Sequence, residues 1–232
     1  MVPESIYLAL AKPPDAVERQ VFESWYEENA RLSLAEPGVS ALRCFSMAPD
    51  VGALAPITYP YLTVYKGPAS PHAVGAKLRQ AREAPEGSSA WLADLRIASF
   101  VGRELQGPVD LSRLDHVYLV FTKPPAEVSV ADFFDWYVIH MRENLTAEGF
   151  DAGWRYGLEA DIVDPLAPTD PVHAAFYEVH GKLPELRASL TRAENDGRVS
   201  FPAWFPRMEL ACLDCYAISD VLAAPESAAA AP

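Results

Sequence analysis

The sequence of 232 residues matches itself when it is shifted by 111 positions. Residues 6–41 align with residues 117–152 without a gap, and 13 of the aligned pairs are identical. About two identities would be expected between unrelated segments of average composition. The shared residues include the pair Trp25 and Trp136, which rarely match by chance. A repeat on this scale predicts one folded unit that is present twice.

Each copy predicts the same order of elements. A first strand ends at a Lys-Pro-Pro motif, because proline cannot continue a hydrogen-bonded ladder. A helix follows, and it ends at Gly38 in the first copy and at Gly149 in the second. In the second copy, Ser129 followed by Asp132 indicates the start of this helix. Two strands, a second helix and a last strand complete a βαββαβ unit of the ferredoxin-like type. The predicted fold class is therefore α+β, with two fused ferredoxin-like units that form one intramolecular α/β barrel.

The repeat also predicts where the units begin and end. We expect a first unit over residues 1–105, a linker over 106–114 and a second unit over 115–220. Residues 221–232 are mostly alanine and proline, and we expect a disordered tail there.

Composition and charge exclude several classes of function. The net charge of −13 leaves no basic surface for nucleic acid. No run approaches the ~20 apolar residues of a membrane span. Three cysteines and no leader-like N-terminus predict a reducing, cytoplasmic location. Cys212 and Cys215 lie three residues apart in a predicted strand, so they should face opposite sides as core thiols.

The two copies differ at a position that could carry chemistry, where the first has Asn29 and the second has His140. The second-copy helix places one set of residues on a single face: Phe133, Trp136, Tyr137, His140 and Asn144. His140 is therefore predicted to point inward, and imidazole is a natural proton-transfer group near neutral pH. A core histidine bonded to a backbone carbonyl is the simpler alternative.

The residues around His140 resemble a known family. The segment WYVIHMRENLTAEGFDAGWRYGLE (136–159) is similar to the EthD-like branch of the dimeric α/β-barrel superfamily, and WYEENARLSLAEPGVSALRCFSM (25–47) keeps the same frame without the histidine. The resemblance covers nearly the whole chain, once per copy. It implies a barrel of two sheets with a pocket between the helices and the sheet of each copy, and it maps the family's helix histidine to His140. The superfamily includes cofactor-free monooxygenases, isomerases, cyclases, lyases and haem enzymes, so the fold alone names no reaction.

Further residues are predicted to act with His140 in the second-copy cleft. Tyrosine hydroxyls can stabilise an oxyanion or relay a proton. His180 and Glu178 lie two residues apart on one strand face, where they could form an acid–base pair, and the best gapped alignment matches His180 with Lys66. The predicted catalytic residues are His140, Tyr137, Tyr156 and His180. The predicted substrate-binding residues are Trp136, Trp154, Arg155, Glu178, Tyr118 and Asn29.

Neither a metal nor an organic cofactor is predicted. His140, Glu178 and His180 would form a two-histidine, one-carboxylate set, but they come from separate elements with no supporting spacing. Superfamily analogy would allow haem with His140 or His180 as its axial ligand. No nucleotide-binding or hydrolase motif is present.

The sequence thus favours a cofactor-independent acid–base enzyme that acts on a small, apolar, aromatic molecule. A lyase requires nothing beyond the residues present, and an isomerase or a cyclase also fits. The alternatives are a non-catalytic small-molecule-binding protein of the same fold and a haem-dependent enzyme. A homodimer is the expected assembly.

Overall fold

The structure, a computed structural model, describes residues 5–67, 72–83, 87–166 and 170–224. The first half contains β1 (Ser5–Lys12), α1 (Arg19–Leu32), β2 (Ala41–Gly52), β3 (Tyr61–Gly67), α2 (His72–Glu83) and β4 (Arg96–Gln106). The second half contains β5 (His116–Lys123), α3 (Val130–Asn144), β6 (Phe150–Ile162), β7 (His173–Val179), α4 (Leu183–Asn195) and β8 (Glu209–Ala217). A short strand, β9 (Leu222–Ala223), follows. Both halves have the predicted βαββαβ order.

The strands of the two halves close into one antiparallel barrel. Their order is β3-β1-β4-β6-β7-β5-β8-β2, and β2 returns to pair with β3. The halves meet at two seams, where β4 pairs with β6 and β8 pairs with β2. Eight strands leave an interior that side chains can fill. The predicted α+β barrel of two ferredoxin-like units is confirmed.

Apolar side chains form three layers, because successive strand residues point to opposite faces of the sheet. One layer fills the barrel interior and includes Phe100, Leu119 and Phe121. The other two layers lie between the helices of each half and the outer face of the barrel, and we call them the first-half layer and the second-half layer. Any site on a helix is therefore separated from the barrel interior by the sheet itself.

The predicted linker packs into the molecule and closes one end of the barrel. Val109, Leu111 and Leu114 are buried in the interior layer. Lys66 Nζ donates to the Val109 carbonyl oxygen at 2.8 Å, which ties the first half to the linker. These contacts place three residues of the segment 106–114 in the core, while Gly107, Pro108, Asp110, Ser112 and Arg113 remain exposed.

Several local signals act as the sequence predicts. The Ser129 hydroxyl accepts a hydrogen bond from the Asp132 backbone N–H at 3.1 Å, so it caps α3. Gly38 and Gly149 have φ values of 86° and 90°, which favour glycine at the turn after each helix. Cys212 and Cys215 are free thiols on opposite faces of the sheet. Cys212 lies in the second-half layer, and Cys215 lies in the barrel interior.

The first residues of the expected disordered tail form a short strand instead. Leu222 and Ala223 form β9, which pairs with Leu42 and Ala41 of β2, because that end of β2 extends beyond β8. Residues 225–232 of the expected tail lie outside the described residues. None of the helices in the described ranges is long and apolar enough to span a bilayer.

Candidate active site

His140 lies on the inner face of α3, between that helix and the sheet. Its side chain is nearly enclosed, with 7% of the residue exposed. The imidazole stacks on Trp136 with ring centroids 4.5 Å apart. The rings of Phe201 and Phe205 lie 5.5 and 6.1 Å from the imidazole, by ring centroids. Both residues belong to the segment 198–207, which we call the cover segment. The inward orientation that the helical spacing predicts is confirmed.

The two nitrogens of His140 have different surroundings. Nε2 lies 3.1 Å from Asn144 Nδ2, one helical turn further on. Nδ1 is buried and has no hydrogen-bond partner among the residues that the structure describes. Burial lowers the pKa of His140 to about 4, although the Glu143 carboxylate opposes this shift. The imidazole is therefore neutral at neutral pH.

A chain of hydrogen bonds continues from Asn144 into the protein. Asn144 Nδ2 donates to the Tyr177 hydroxyl at 3.1 Å, and Tyr177 is hydrogen-bonded to Tyr137. Burial raises the pKa of Tyr177 to about 12 and that of Tyr137 well above its usual value. Both phenols are protonated and can donate, so His140 is connected to a row of neutral donors.

Next to Tyr137 lies a second buried polar group, centred on Arg155. Arg155 Nε donates to His173 Nε2 at 3.2 Å, and Nη2 donates to the Phe134 carbonyl oxygen at 3.0 Å. His173 Nδ1 lies 3.1 Å from the Thr122 hydroxyl oxygen. Burial, followed by the nearby Arg155 charge, holds the pKa of His173 well below its usual value. The second-half layer thus contains two buried neutral histidines and a buried cation.

Strand register shows which residues of the two halves are equivalent. Tyr7 of β1 is opposite Tyr65, and Tyr118 of β5 is opposite Tyr177. Because Tyr7 and Tyr118 match in the sequence repeat, Tyr65 matches Tyr177, and Lys66 therefore matches Glu178. The gapped alignment of Lys66 with His180 was wrong by two residues, since it lacked the pairing information.

The polar residues of the second half have mostly apolar or smaller equivalents in the first half. His140, Asn144, Arg155, His173 and Thr122 correspond to Asn29, Ser33, Cys44, Tyr61 and Ala11. Asn29 lines a cavity of ≈ 10 Å³, about the space of one water molecule. At these five positions the first half therefore has neither a histidine nor an arginine.

Two predicted site residues, Trp154 and Tyr156, lie on the other side of the sheet. Both side chains belong to the barrel interior, whereas Arg155 between them faces α3. The Tyr156 hydroxyl accepts a hydrogen bond from the Val109 backbone N–H at 2.9 Å. Their assignment to the His140 cleft was wrong, because strand residues two apart share a face that here points away from α3.

His180 and Glu178 do not form the predicted pair. Glu178 bonds to Arg113 of the linker at 2.5 Å, and His180 Nδ1 lies 2.8 Å from Asp151. β7 ends at Val179, so the alternation that would place both side chains on one face stops before His180. His180 lines a separate groove of ≈ 470 Å³ beside α4. The structure therefore separates His180 from His140.

Tyr118 lies in the same layer as His140, but its hydroxyl is engaged elsewhere. It donates to Asp50 Oδ2 at 2.6 Å, and Arg187 of α4 pairs with the same carboxylate. Its predicted role in substrate binding stays a prediction. Of the remaining predicted residues, Trp136, Tyr137 and Arg155 lie with His140 in the second-half layer.

Sequence reasoning did not select Asn144 as a site residue, although it placed Asn144 on the face of His140, and it also missed the strand residues Tyr177, His173 and Thr122. All three lie on strands, and they contact α3 or Arg155 only through the pairing of β5, β6 and β7. Within the described ranges, no group of three or more His, Cys, Asp or Glu side chains could hold a metal ion.

Comparison with known proteins identifies the fold. No protein-family model and no curated protein matches the sequence significantly. Among solved structures, a mutant chlorite dismutase from Candidatus Nitrospira defluvii aligns with 92% of this chain and 90% of its own, at 10% identity and a TM-score of 0.53. TA0507, described as a candidate chlorite dismutase, aligns with 94% of this chain and 96% of its own, at 10% identity and a TM-score of 0.51. At such identities the similarity shows a shared dimeric α/β-barrel fold.

Proposed function

We propose that the second-half layer is the active site of a cofactor-independent acid–base enzyme, and that His140 transfers a proton to or from a carbon next to a carbonyl group. The carrying observation is the buried, unpartnered Nδ1 of a neutral histidine. Leaving a buried polar atom unpaired costs about 1–3 kcal/mol. A purely structural histidine would avoid that cost, whereas a proton-transfer group needs a free nitrogen.

The Asn144 amide determines which His140 nitrogen holds the proton. The structure places Nδ2 of the amide beside Nε2, an arrangement in which Nε2 accepts and Nδ1 carries the proton. Turning the amide over brings its carbonyl oxygen to the same place, so that Nε2–H donates to it and Nδ1 keeps a lone pair. Nδ1 then takes the substrate proton, and the C–H electron pair forms the C=C bond of an enolate whose charge lies on oxygen. Returning the proton to a different carbon gives isomerisation, and expelling a leaving group from the neighbouring carbon gives a lyase. We favour the lyase.

Deuterium exchange in D₂O tests proton abstraction without knowledge of the natural reaction. Phenylpyruvate and phenylacetone are aromatic carbon acids that lose a benzylic proton next to a ketone. We expect the protein to accelerate loss of the benzylic ¹H NMR signal of at least one of them, and His140→Asn to abolish the acceleration. Asn is the first-half residue at this position, so the variant keeps a polar side chain that the fold already accepts.

Asn29→Gln provides the matched control, since it changes the equivalent site of the first half. It should leave exchange unchanged. No acceleration by the wild type with either compound, or full acceleration by His140→Asn, would contradict the proposal. In that case a non-catalytic binding protein of the same fold would be the better description.

Haem-dependent chemistry is the second candidate, because chlorite dismutases share this fold. A haem needs an open slot beside a histidine nitrogen. The imidazole of His140 is instead packed against Trp136, Phe201 and Phe205, and a porphyrin, which is several times larger than a phenyl ring, would have to displace all three. The groove at His180 has mixed walls, in which the charged side chains of Glu148, Glu185 and Arg192 lie beside small and apolar residues, so it does not offer a haem two apolar faces.

A visible spectrum tests this candidate directly. Protein that is expressed with added haem and then purified should show no Soret band. A stoichiometric Soret band would show that the protein is a haem protein and would contradict the cofactor-free assignment.

We also propose that the chain belongs to the EthD-like branch and that it forms a homodimer. Light scattering would detect the homodimer as a doubled mass.

A further inference from the structure

Arg155 is a buried cation that the proton transfer described above does not use. The residue is 1% exposed and is the bulkiest of the fully buried side chains. Burial lowers the pKa of its guanidinium, which shows how unfavourable the surroundings are for a positive charge. Such a group requires a physical reason for its position.

The partners of Arg155 are all neutral. Nε and Nη2 donate to His173 and to the Phe134 carbonyl oxygen, and the guanidinium lies 5.1 Å from the centre of the Tyr137 ring. A guanidinium has five N–H donors. The others make no hydrogen bond with the described residues, so part of the donor fork is available to a ligand.

No carboxylate in the described ranges neutralises this charge. Among the described residues no acidic side chain forms an ion pair with Arg155, and the exposed Asp135 acts on it only at longer range. An uncompensated buried charge costs several kcal/mol. The fold itself does not need a cation at this position, since the first half has Cys44 there. A bound anion would compensate this charge.

We infer that Arg155 is an anion-binding residue and that the substrate carries a carboxylate close to its aromatic ring. This inference rests on the proposed function for the location of the site. The planar guanidinium matches the two oxygens of a carboxylate, to which it can donate two parallel hydrogen bonds. The buried aromatic rings around Trp136 and Tyr137 supply the apolar part of such a site.

Binding of phenylacetate and of its neutral isostere phenylacetamide tests the inference. Trp136 and Trp204 lie within 4.9 Å of each other, by ring centroids, beside His140, and their fluorescence can report binding. We expect phenylacetate to bind at least tenfold more tightly than phenylacetamide. Arg155→Met should abolish this preference, and Arg155→Lys should keep part of it. Arg192→Met, at an exposed arginine of α4, should keep it in full.

Stability distinguishes a ligand-binding arginine from a structural one. Without ligand, Arg155→Met should unfold close to the wild-type temperature, because removal of the uncompensated charge offsets the loss of the hydrogen bonds to His173 and to the Phe134 carbonyl oxygen. A clear fall in the unfolding temperature would show that Arg155 is retained for packing. Equal binding of the two compounds by the wild type would overturn the inference.

The two proposals can fail separately. His140→Asn should lose deuterium exchange but retain the preference for phenylacetate. If the preference is present and exchange is absent in the wild type, the proposed proton transfer is wrong and the anion site remains. If exchange occurs without the preference, Arg155 has no role in recognition.

Discussion

A single residue, Asn144, links His140 to the rest of the buried network. Its amide lies 3.1 Å from both His140 Nε2 and the Tyr177 hydroxyl oxygen. The sequence places Asn144 one turn beyond His140 on the same helical face, but it cannot show that Tyr177 completes the chain. Because the amide can present either an acceptor or a donor, this position controls the basicity of His140.

The pH dependence of exchange should report this control. A neutral imidazole is the active base, so the rate should rise with pH through the His140 pKa of about 4 and then stay level through pH 7. Asn144→Asp places a carboxylate beside Nε2, which favours the imidazolium and should move the acid limb upwards. A wild-type limb near the ordinary histidine pKa of about 6.5 would show that His140 is solvated.

Stability should depend on pH for the same reason. The folded-state pKa of about 4 lies below the unfolded value of 6.5, so acid favours the unfolded state as pH falls below 6.5. Between pH 7.5 and 5, His140 should account for a loss of about 2 kcal/mol in the free energy of unfolding.

Urea denaturation at the two pH values measures this loss. His140→Asn should remove that part of it, whereas Asn29→Gln, at the equivalent position of the first half, should not. Equal pH dependence of the wild type and His140→Asn would contradict the burial of His140.

At the scale of elements, access to His140 depends on the cover segment. Ser200 is bonded to Glu143 of α3 through its backbone N–H at 3.0 Å and its hydroxyl at 2.8 Å. Arg198 Nη1 donates to the Thr146 carbonyl oxygen at 2.6 Å. These polar bonds hold Phe201 and Phe205 over the imidazole, so opening the site requires breaking them.

Ser200→Ala should loosen the cover segment without unfolding the protein. It removes one hydrogen bond to Glu143, worth about 1 kcal/mol, which corresponds to about fivefold more frequent opening. Amide hydrogen exchange of a peptide covering residues 198–207 should accelerate by that factor. Thr58→Ala, which removes an exposed side-chain bond in the first half, should leave this peptide unchanged. Unchanged exchange in Ser200→Ala would show that aromatic packing alone holds the segment.

At the scale of the whole molecule, two matching polar clusters join the halves. Tyr7 donates to Asp161 Oδ2 at 2.6 Å, and Arg79 pairs with that carboxylate at 3.4 Å. On the other side, Tyr118 donates to Asp50, which Arg187 also contacts. In each cluster the tyrosine and the arginine come from one half and the aspartate from the other, so the seams are held by side chains as well as by strand pairing.

Removing either tyrosine hydroxyl should therefore destabilise the whole barrel. We expect Tyr7→Phe and Tyr118→Phe each to lower the free energy of unfolding by about 2 kcal/mol, since each loses a hydrogen bond to a carboxylate. The effects should add in the double variant, because the two clusters share no residue. Thr58→Ala, which removes an exposed hydroxyl of the first half, should change stability little. Urea denaturation, followed by fluorescence, measures the free energy of unfolding of all four variants. Loss of stability in only one of the two single tyrosine variants would show that the clusters are not equivalent.

The sequence by itself determined the order of elements, the pairing of equivalent helices and the inward face of α3, because these depend on local periodicity and on a repeat that can be read along the chain. It also placed His140, Tyr137, Trp136 and Arg155 in the second half. Only the tertiary structure decided that Trp154 and Tyr156 belong to the barrel interior and that His180 pairs with Asp151. It also brought His173, Thr122 and Tyr177 to α3. Strand register and the side of the sheet that a residue faces are set by pairing between distant segments, and a shift of one residue reverses every side chain.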